Sequence, residues 1–147
     1  MPVSAPSADL LVLAGDIGSY QSGSSLAARG DADFGLARFS PRLGWPVPVL
    51  FVPGNHEYDG LDWDEAHQRL RRTCERLQIT WLDREVLHWP GVRFIGSTLW
   101  SDFDALGPLA GQTTMHASAT ALAAQLKARD KAFRAADFYL RKTGGTR

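Results

Sequence analysis

Two short segments of uninterrupted apolar residues constrain the fold of this chain more than any other feature. They are residues 10–14 (LLVLA) and 47–52 (VPVLFV). A strand that is covered on both faces has a continuous apolar run, whereas a half-exposed strand alternates. The stretch between them, residues 19–45, is long enough for the crossover that joins two parallel strands. The sequence therefore predicts an α/β fold.

Helical spacing of apolar residues predicts the helices. Residues 62–77 are the clearest case, and Asp62 with Glu65 three positions later is typical of a capping box. Residues 114–140 show a second, longer pattern of apolar residues three and four apart. A shorter helix is predicted within residues 33–43.

Between these helices the apolar period shifts toward two, which is typical of strands. Residues 79–82 and 85–89 are predicted strands. A Pro-Gly turn follows, and residues 92–95 are predicted to return as the partner of a hairpin. Residues 97–103 are expected to extend that sheet, so the whole sheet would be mixed. Residues 19–25, rich in Ser and Gly, are predicted to be a loop.

Charge and cysteine content exclude several classes of protein. The 147 residues carry 16 basic and 16 acidic side chains, so the charge pattern predicts no nucleic-acid partner and no membrane surface. No apolar run approaches the roughly 18–20 residues of a membrane span, and residues 1–9, without a basic start or an apolar region, predict no secretory signal. Cys74 is the only cysteine, which excludes an internal disulfide and fits a cytoplasmic location.

Polar residues follow both apolar runs at the point where each predicted strand ends. Asp16 comes after the first, and Asn55, His56 and Glu57 come after the second. Parallel neighbours end at the same edge of a sheet, so we expect Asp16 and Asn55 to converge. Carboxylate and amide oxygens suit Mn, Mg or Fe, and one aspartate can bridge two metal ions. A neighbouring imidazole, that of His56, can act as a general acid.

Each of these motifs alone is more typical of a turn or a helix cap than of a metal site. Because both occur together, each at the end of a buried strand, they favour the metal site. A Gly-x-x-Gly spacing at residues 15–18 supports a weaker interpretation. In this interpretation the chain is a nucleotide-binding α/β protein, which would bind nucleotide without added metal.

The same residues resemble the calcineurin-like metallophosphoesterase superfamily. The resemblance is carried by Gly15-Asp16 in LVLAGDIG, by GNHE in VPVLFVPGNHEYDG, and by the stretch VRFIGSTLWSDF, and it is strongest over residues 8–103. It implies a sandwich of two mixed sheets flanked by helices, an α/β/β/α architecture. It also implies hydrolysis of phosphomonoesters or phosphodiesters at a two-metal centre, with a small phosphate ester as substrate.

The resemblance also implies roles for individual residues. Asp16 would be the bridging metal ligand and Asn55 a ligand of one metal, whereas His56 would stabilise the transition state or protonate the leaving oxygen. The cofactor would be a pair of divalent ions, with manganese favoured over Fe, Zn or Mg.

The chain departs from the family pattern in its histidines. It contains neither the Asp-x-His motif that normally precedes Gly-Asp nor the later Gly-His-x-His motif. We therefore expect residues 1–147 to be one partial, incomplete phosphoesterase domain, and its activity to be reduced or lost. The alternative is a non-catalytic relic or binding module on the same scaffold. Unpaired strand edges in such a partial domain predict self-association.

The remaining chemically active side chains are predicted to have no role in catalysis. His67 is expected to be a solvated residue off the apolar face of its helix, and His88 a surface residue of the hairpin. His116, at the start of the last helix, is expected to be a capping or surface residue. Cys74 is predicted to be a small core residue. Asp102 is placed to line the crevice, with no role assigned.

Overall fold

The part of the chain that the computed structural model describes is residues 7–20, 23–30, 33–99 and 119–142. It forms a three-stranded sheet, a two-stranded hairpin and helices. In chain order the elements are β1 (Leu11–Ala14), α1 (Ser25–Arg29), two 3₁₀ helices (Ala37–Phe39 and Pro41–Leu43), β2 (Val49–Val52), a third 3₁₀ helix (His56–Tyr58), α2 (Trp63–Leu77), β3 (Thr80–Trp81), β4 (Glu85–Trp89), β5 (Val92–Gly96) and α3 (Ala119–Lys142).

The three-stranded sheet is parallel and has the order β1-β2-β3. Its register pairs Leu11 with Val49 and Ala14 with Val52, so β1 and β2 end side by side. This confirms that the two apolar runs are neighbouring parallel strands. The central strand β2 is buried along most of its length, as its continuous apolar sequence predicts.

Helix α2 is the crossover between β2 and β3, and it starts and stops where its local sequence dictates. The Asp62 side chain accepts a hydrogen bond from the Glu65 backbone N–H at 3.0 Å, which confirms the predicted cap. Gln78 ends the helix in the left-handed conformation, with φ of 57°. The buried face is formed by Ala66, Leu70, Thr73, Cys74 and Leu77. It packs against the sheet in the main hydrophobic core.

The crossover between β1 and β2 differs from the sequence prediction. Residues 33–43 form two 3₁₀ helices rather than one helix, because Phe34 and Gly35 both take positive φ angles and Pro41 starts a new turn. The segment also contains α1, which was not predicted. The Ser24 hydroxyl caps α1 by accepting from the Ala27 N–H at 3.1 Å. Phe34 and Leu36 nevertheless reach the core with no exposed surface.

The hairpin β4-β5 is antiparallel and agrees with the prediction. Glu85 pairs with Gly96 and Trp89 with Val92, and Gly91 makes the turn with φ of 76°. The fold class is therefore the α/β class predicted, with parallel and antiparallel pairing in separate sheets of the described residues. The proposed extension does not form at residues 97–99, and residues 100–103 lie outside the described part.

Helix α3 confirms the long helical pattern near the end of the chain, although residues 114–118 of the prediction lie outside the described part. Three members of its predicted apolar stripe are nearly half exposed: Leu122, Leu126 and Phe133. No helix in the described ranges has the length and apolar character needed to cross a membrane.

A candidate metal site at the carboxyl edge of the parallel sheet

Two loops leave the sheet side by side and meet through their glycines. One follows β1 at Gly15, and the other follows β2 at Gly54. A Cβ atom added to Gly15 would lie 2.5 Å from the Gly54 backbone nitrogen, and Gly15 has a φ of 83°. Both the conformation and the close backbone approach require glycine at this position. The two loops are thereby brought into direct contact.

The Asp16 carboxylate lies against the second loop. Its Oδ1 accepts a hydrogen bond from the His56 backbone N–H at 3.2 Å. A Cβ atom on Gly54 would lie only 2.1 Å from the same oxygen. Asn55 is exposed and sits between these two contacts, where it precedes the 3₁₀ helix His56–Tyr58. The loops that carry Asp16 and Asn55 therefore converge, whereas their roles as metal ligands stay predictions.

The His56 imidazole has one nitrogen paired and most of its surface exposed. Its Nδ1 lies 2.6 Å from Asp59 Oδ2, and 57% of the side chain is exposed. The hydrogen bond to Asp59 raises the pKa of His56 above its ordinary value, and the nearby negative charges of Asp59, Asp16 and Glu57 act in the same direction. Burial opposes the shift. The arrangement favours the protonated ring and leaves Nε2 as the nitrogen without a bond to Asp59.

The buried Glu57 side chain joins the two loops by hydrogen bonds, and the sequence analysis assigned it no role. Its side chain has no exposed surface. One carboxylate oxygen accepts from the Ile17 N–H at 2.6 Å and the Gly18 N–H at 3.3 Å. The other accepts from the Asp16 N–H at 2.9 Å and the Gly54 N–H at 2.7 Å. The carboxylate thus satisfies backbone donors from both loops and fixes Asp16 relative to Gly54.

These hydrogen bonds also bear on the nucleotide-binding interpretation. A phosphate-binding loop offers successive backbone N–H groups to its ligand. Here the N–H groups of residues 16–18 are already occupied by the Glu57 carboxylate. Gly18 is explained by packing, since an added Cβ would lie 2.6 Å from the Phe34 carbonyl oxygen. The Gly-x-x-Gly spacing is therefore structural in this fold.

His67 was predicted to be solvated, and that prediction was wrong. The ring is half-buried and stacks on Trp63, with centroids 4.7 Å apart, and meets Trp81 edge-on at 5.0 Å. Its Nδ1 is 3.0 Å from the Tyr58 hydroxyl. Helical spacing placed His67 off the apolar stripe, but Trp63 one turn earlier in α2, together with Tyr58 and Trp81 from outside the helix, covers that edge. Burial lowers the pKa of His67 below its ordinary value of 6.5.

This burial predicts how stability depends on pH. The unfolded chain holds His67 at its ordinary pKa of 6.5, whereas the folded chain holds it lower. As pH falls through 6.5, the unfolded state takes up the proton first, so the free energy of unfolding decreases. His67→Gln is expected to flatten this decrease in urea unfolding between about pH 8 and 5. His88→Gln, at an exposed position of β4, is the control and should leave the slope unchanged.

A further contact ties the segment after the hairpin to the loop that follows β2. The Thr98 hydroxyl donates to the Pro53 carbonyl oxygen at 2.7 Å. The Thr98 backbone N–H donates to the buried Asp83 carboxylate at 3.2 Å. The loop that carries Asn55 and His56 is therefore held on one side by the loop after β1 and on the other by the segment after β5.

The other candidates behave as predicted where they are described. His88 is exposed. Cys74 is fully buried, and burial raises the pKa of its thiol to about 12, which makes it a core residue and not a nucleophile. His116 and Asp102 lie outside the described residues.

The donor set fits a divalent cation in kind but not in number. Asp16 supplies carboxylate oxygens and Asn55 an amide oxygen, which are hard ligands suited to Mn²⁺ or Mg²⁺. Within the described ranges no three His, Cys, Asp or Glu side chains are grouped so that they could hold a metal ion. As metal ligands, Asp16 and Asn55 alone would therefore supply only part of a coordination sphere.

Comparison with known proteins identifies the family. The family model for calcineurin-like phosphoesterases matches residues 3–126, which is most of the 147-residue chain. The chain therefore belongs to the calcineurin-like phosphoesterase family, as the Gly-Asp and Gly-Asn-His-Glu motifs predict. Proteins of this family are hydrolases that generally use divalent metals.

One curated relative is an uncharacterized protein of Acanthamoeba polyphaga mimivirus. The two are 30% identical over 100 residues, which is 63% of this chain and 31% of the relative. The chain thus spans about a third of the length of the relative it matches. No solved structure gives a significant match.

Proposed function

We propose that this chain acts in the metal-dependent hydrolysis of phosphate monoesters or diesters, with the reaction centred on Asp16, Asn55 and His56. The observation that carries the proposal is the contact between the Asp16 carboxylate and the His56 backbone N–H at 3.2 Å. It brings a carboxylate, an amide and an imidazole to one edge of the sheet. Ligands of open α/β sheets bind at this edge.

Asp16 and Asn55 would hold the cation, which we propose to be manganese. When bound, a divalent cation polarises the phosphoryl group and neutralises its charge. Asp16 is suited to this because its Oδ1 is already oriented by the His56 N–H and its backbone by Glu57. Asn55 is exposed beside it. Two oxygen donors, of which Asp16 is the one oriented by the hydrogen bonds described above, predict weak binding.

His56 would act on the oxygen of the leaving group. The Asp59 carboxylate, 2.6 Å from Nδ1, orients the ring and stabilises its protonated form. Nε2 would then carry the proton or hydrogen bond that the departing oxygen requires. Because that interaction is strongest in the transition state, His56→Ala should lower kcat more than it raises KM.

A second candidate function is a non-catalytic binding module on the same scaffold. One observation favours it. Within the described ranges there is no group of three metal-ligating His, Cys, Asp or Glu side chains, whereas two-metal hydrolysis requires several ligands. The two candidates differ in turnover and not in fold.

Metal binding is the first test. Titration with Mn²⁺, followed by the electron paramagnetic resonance of the free ion, should show fewer than two equivalents bound weakly. Asp16→Asn should weaken this binding by about tenfold or more, because it removes the anionic ligand. Asp9→Asn, an exposed carboxylate just before β1, is the matched control and should have no effect. Two tightly held ions, or equal binding by Asp16→Asn, would refute this ligand assignment.

Turnover separates the two candidates. With p-nitrophenyl phosphate or its bis-ester, we expect slow hydrolysis that depends on Mn²⁺ and disappears in Asp16→Asn. His56→Ala should show the fall in kcat described above. Mn²⁺ binding without any metal-dependent hydrolysis would favour the binding module.

A further inference from the structure

A second polar cleft lies on α2, apart from the candidate metal site. It has a volume of about 460 Å³ and is lined by Asp33, Arg69, Arg72, Thr73 and Arg76. We call it the arginine cleft. None of its lining residues contributes to the contacts among Asp16, Asn55, His56 and Glu57. Whatever binds in the arginine cleft is therefore recognised by a separate set of side chains.

The three arginines form a row along one side of the helix. Arg69, Arg72 and Arg76 are three and four positions apart, the spacing at which helical side chains are neighbours. The guanidinium of Arg69 is held in place, since it lies 5.2 Å from the ring centroids of both Tyr20 and Phe34. A guanidinium fixed in this way loses little conformational entropy when a ligand binds.

Among the described residues, the positive charge of this row is not neutralised by ion pairs. In the described part of the chain, no carboxylate forms an ion pair with Arg69, Arg72 or Arg76, whereas Arg71 on a different side of α2 pairs with Glu85 at 3.0 Å. Asp33 is the one acid among the described residues of the lining, and its Oδ1 accepts from the Gly35 N–H at 2.9 Å.

The helix dipole does not account for the whole row. The helix dipole favours Arg76 in the last turn, but not Arg69 in the middle of α2. Like charges at this spacing repel each other. The whole chain has a formal charge of zero, so the positive charge of the row comes from the placement of its arginines and not from an overall excess of basic residues.

We propose that the arginine cleft binds a linear oligophosphate, such as a triphosphate group. Guanidinium groups match phosphate oxygens with paired hydrogen bonds. Arg69 and Arg76 are seven positions apart on the helix, a rise of roughly 10 Å, so a single phosphate would contact all three arginines only if their side chains converged on it. A chain of phosphoryl groups can contact two or three of them.

Calorimetric titration with inorganic triphosphate tests this directly. The buffer contains EDTA and about 0.15 M salt, so that no divalent cation is present and weak surface attraction is screened. We expect one equivalent to bind, and orthophosphate to bind about tenfold more weakly or not at all. Arg72→Gln combined with Arg76→Gln should weaken triphosphate binding by about tenfold or more. Arg72→Lys keeps the positive charge but removes the planar guanidinium that makes paired hydrogen bonds. It should therefore lose less triphosphate affinity than the double variant.

The controls separate this site from the metal site and from general charge. Arg71→Gln removes one positive charge from a different side of the same helix and should leave triphosphate binding unchanged. Asp16→Asn should also leave it unchanged, which distinguishes this proposal from the proposed phosphoesterase function. Absence of triphosphate binding, equal binding by the double variant, or equal affinity for a hexaglutamate peptide would overturn the proposal. Circular dichroism confirms that each variant is folded, and the exposed positions of Arg72 and Arg76 favour this.

Discussion

Replacing Glu57 by glutamine is expected to lower the free energy of unfolding by about 3 kcal/mol and the thermal midpoint by roughly 10 °C. The Glu57 carboxylate accepts from four backbone N–H groups, two at each oxygen. Glutamine has the same shape, but its NH₂ group must face two of those donors in either orientation. Two buried donors then lose their acceptor, and the remaining two lose a charged one. Thermal or urea unfolding followed by circular dichroism measures the loss.

Glu65→Gln is the matched control for this prediction. It removes the same charge from an exposed position in the first turn of α2, where the Glu65 backbone and not its side chain makes the recorded bond. Its cost should stay below about 1 kcal/mol, the range of a helix-dipole interaction. If Glu57→Gln were as mild as Glu65→Gln, the four hydrogen bonds would not be holding the loops together.

Replacing Gly15 by alanine is the second change with a large expected effect. Alanine at this position meets two obstacles at once. The residue has a φ of 83°, which disfavours a side chain, and the new Cβ would lie 2.5 Å from the Gly54 nitrogen and 2.6 Å from its Cα. Backbone atoms cannot rotate away, so the two loops must separate. We expect a loss of roughly 3 kcal/mol or more in unfolding free energy, together with a loss of Mn²⁺ binding.

Gly91→Ala distinguishes the effect of the positive φ from the effect of the steric clash. Gly91 has nearly the same φ, 76°, but an added Cβ there meets no atom within 4 Å. Its cost should be the conformational strain alone, about 1 kcal/mol, with no effect on Mn²⁺ binding. Equal losses in the two variants would show that backbone conformation, and not the contact between the loops, makes Gly15 necessary.

The elements that could be predicted are those whose cause is local in the sequence. Strands β1 and β2 follow from short continuous apolar runs, and α2 follows from its apolar spacing and the Asp62 cap. The hairpin follows from a Pro-Gly turn between two short strands. Where two local preferences compete, as at Phe34 and Gly35 with their positive φ angles, the predicted helix is replaced by tight turns.

The site was predictable only in part, for the same reason. The parallel pairing of β1 with β2 brings the loops of Asp16 and Asn55 to one edge, and this follows from the order of the elements. The buried role of Glu57 does not, because its partners at residues 16–18 are 39 to 41 positions away. The glycines in the two loops after β1 and β2 give some indication of this role, since tight turns leave backbone N–H groups that need an acceptor.

The sequence by itself determined the parallel strands, the capped helix, the hairpin and the family to which the chain belongs. Periodic burial and turn chemistry depend on residues a few positions apart, so they can be read locally. Only the tertiary structure decided that Glu57 is buried, that His67 lies among aromatic rings, and that three arginines of α2 line one cleft. The environment of a polar side chain is set by whichever distant segments pack beside it, and the local pattern does not contain that information.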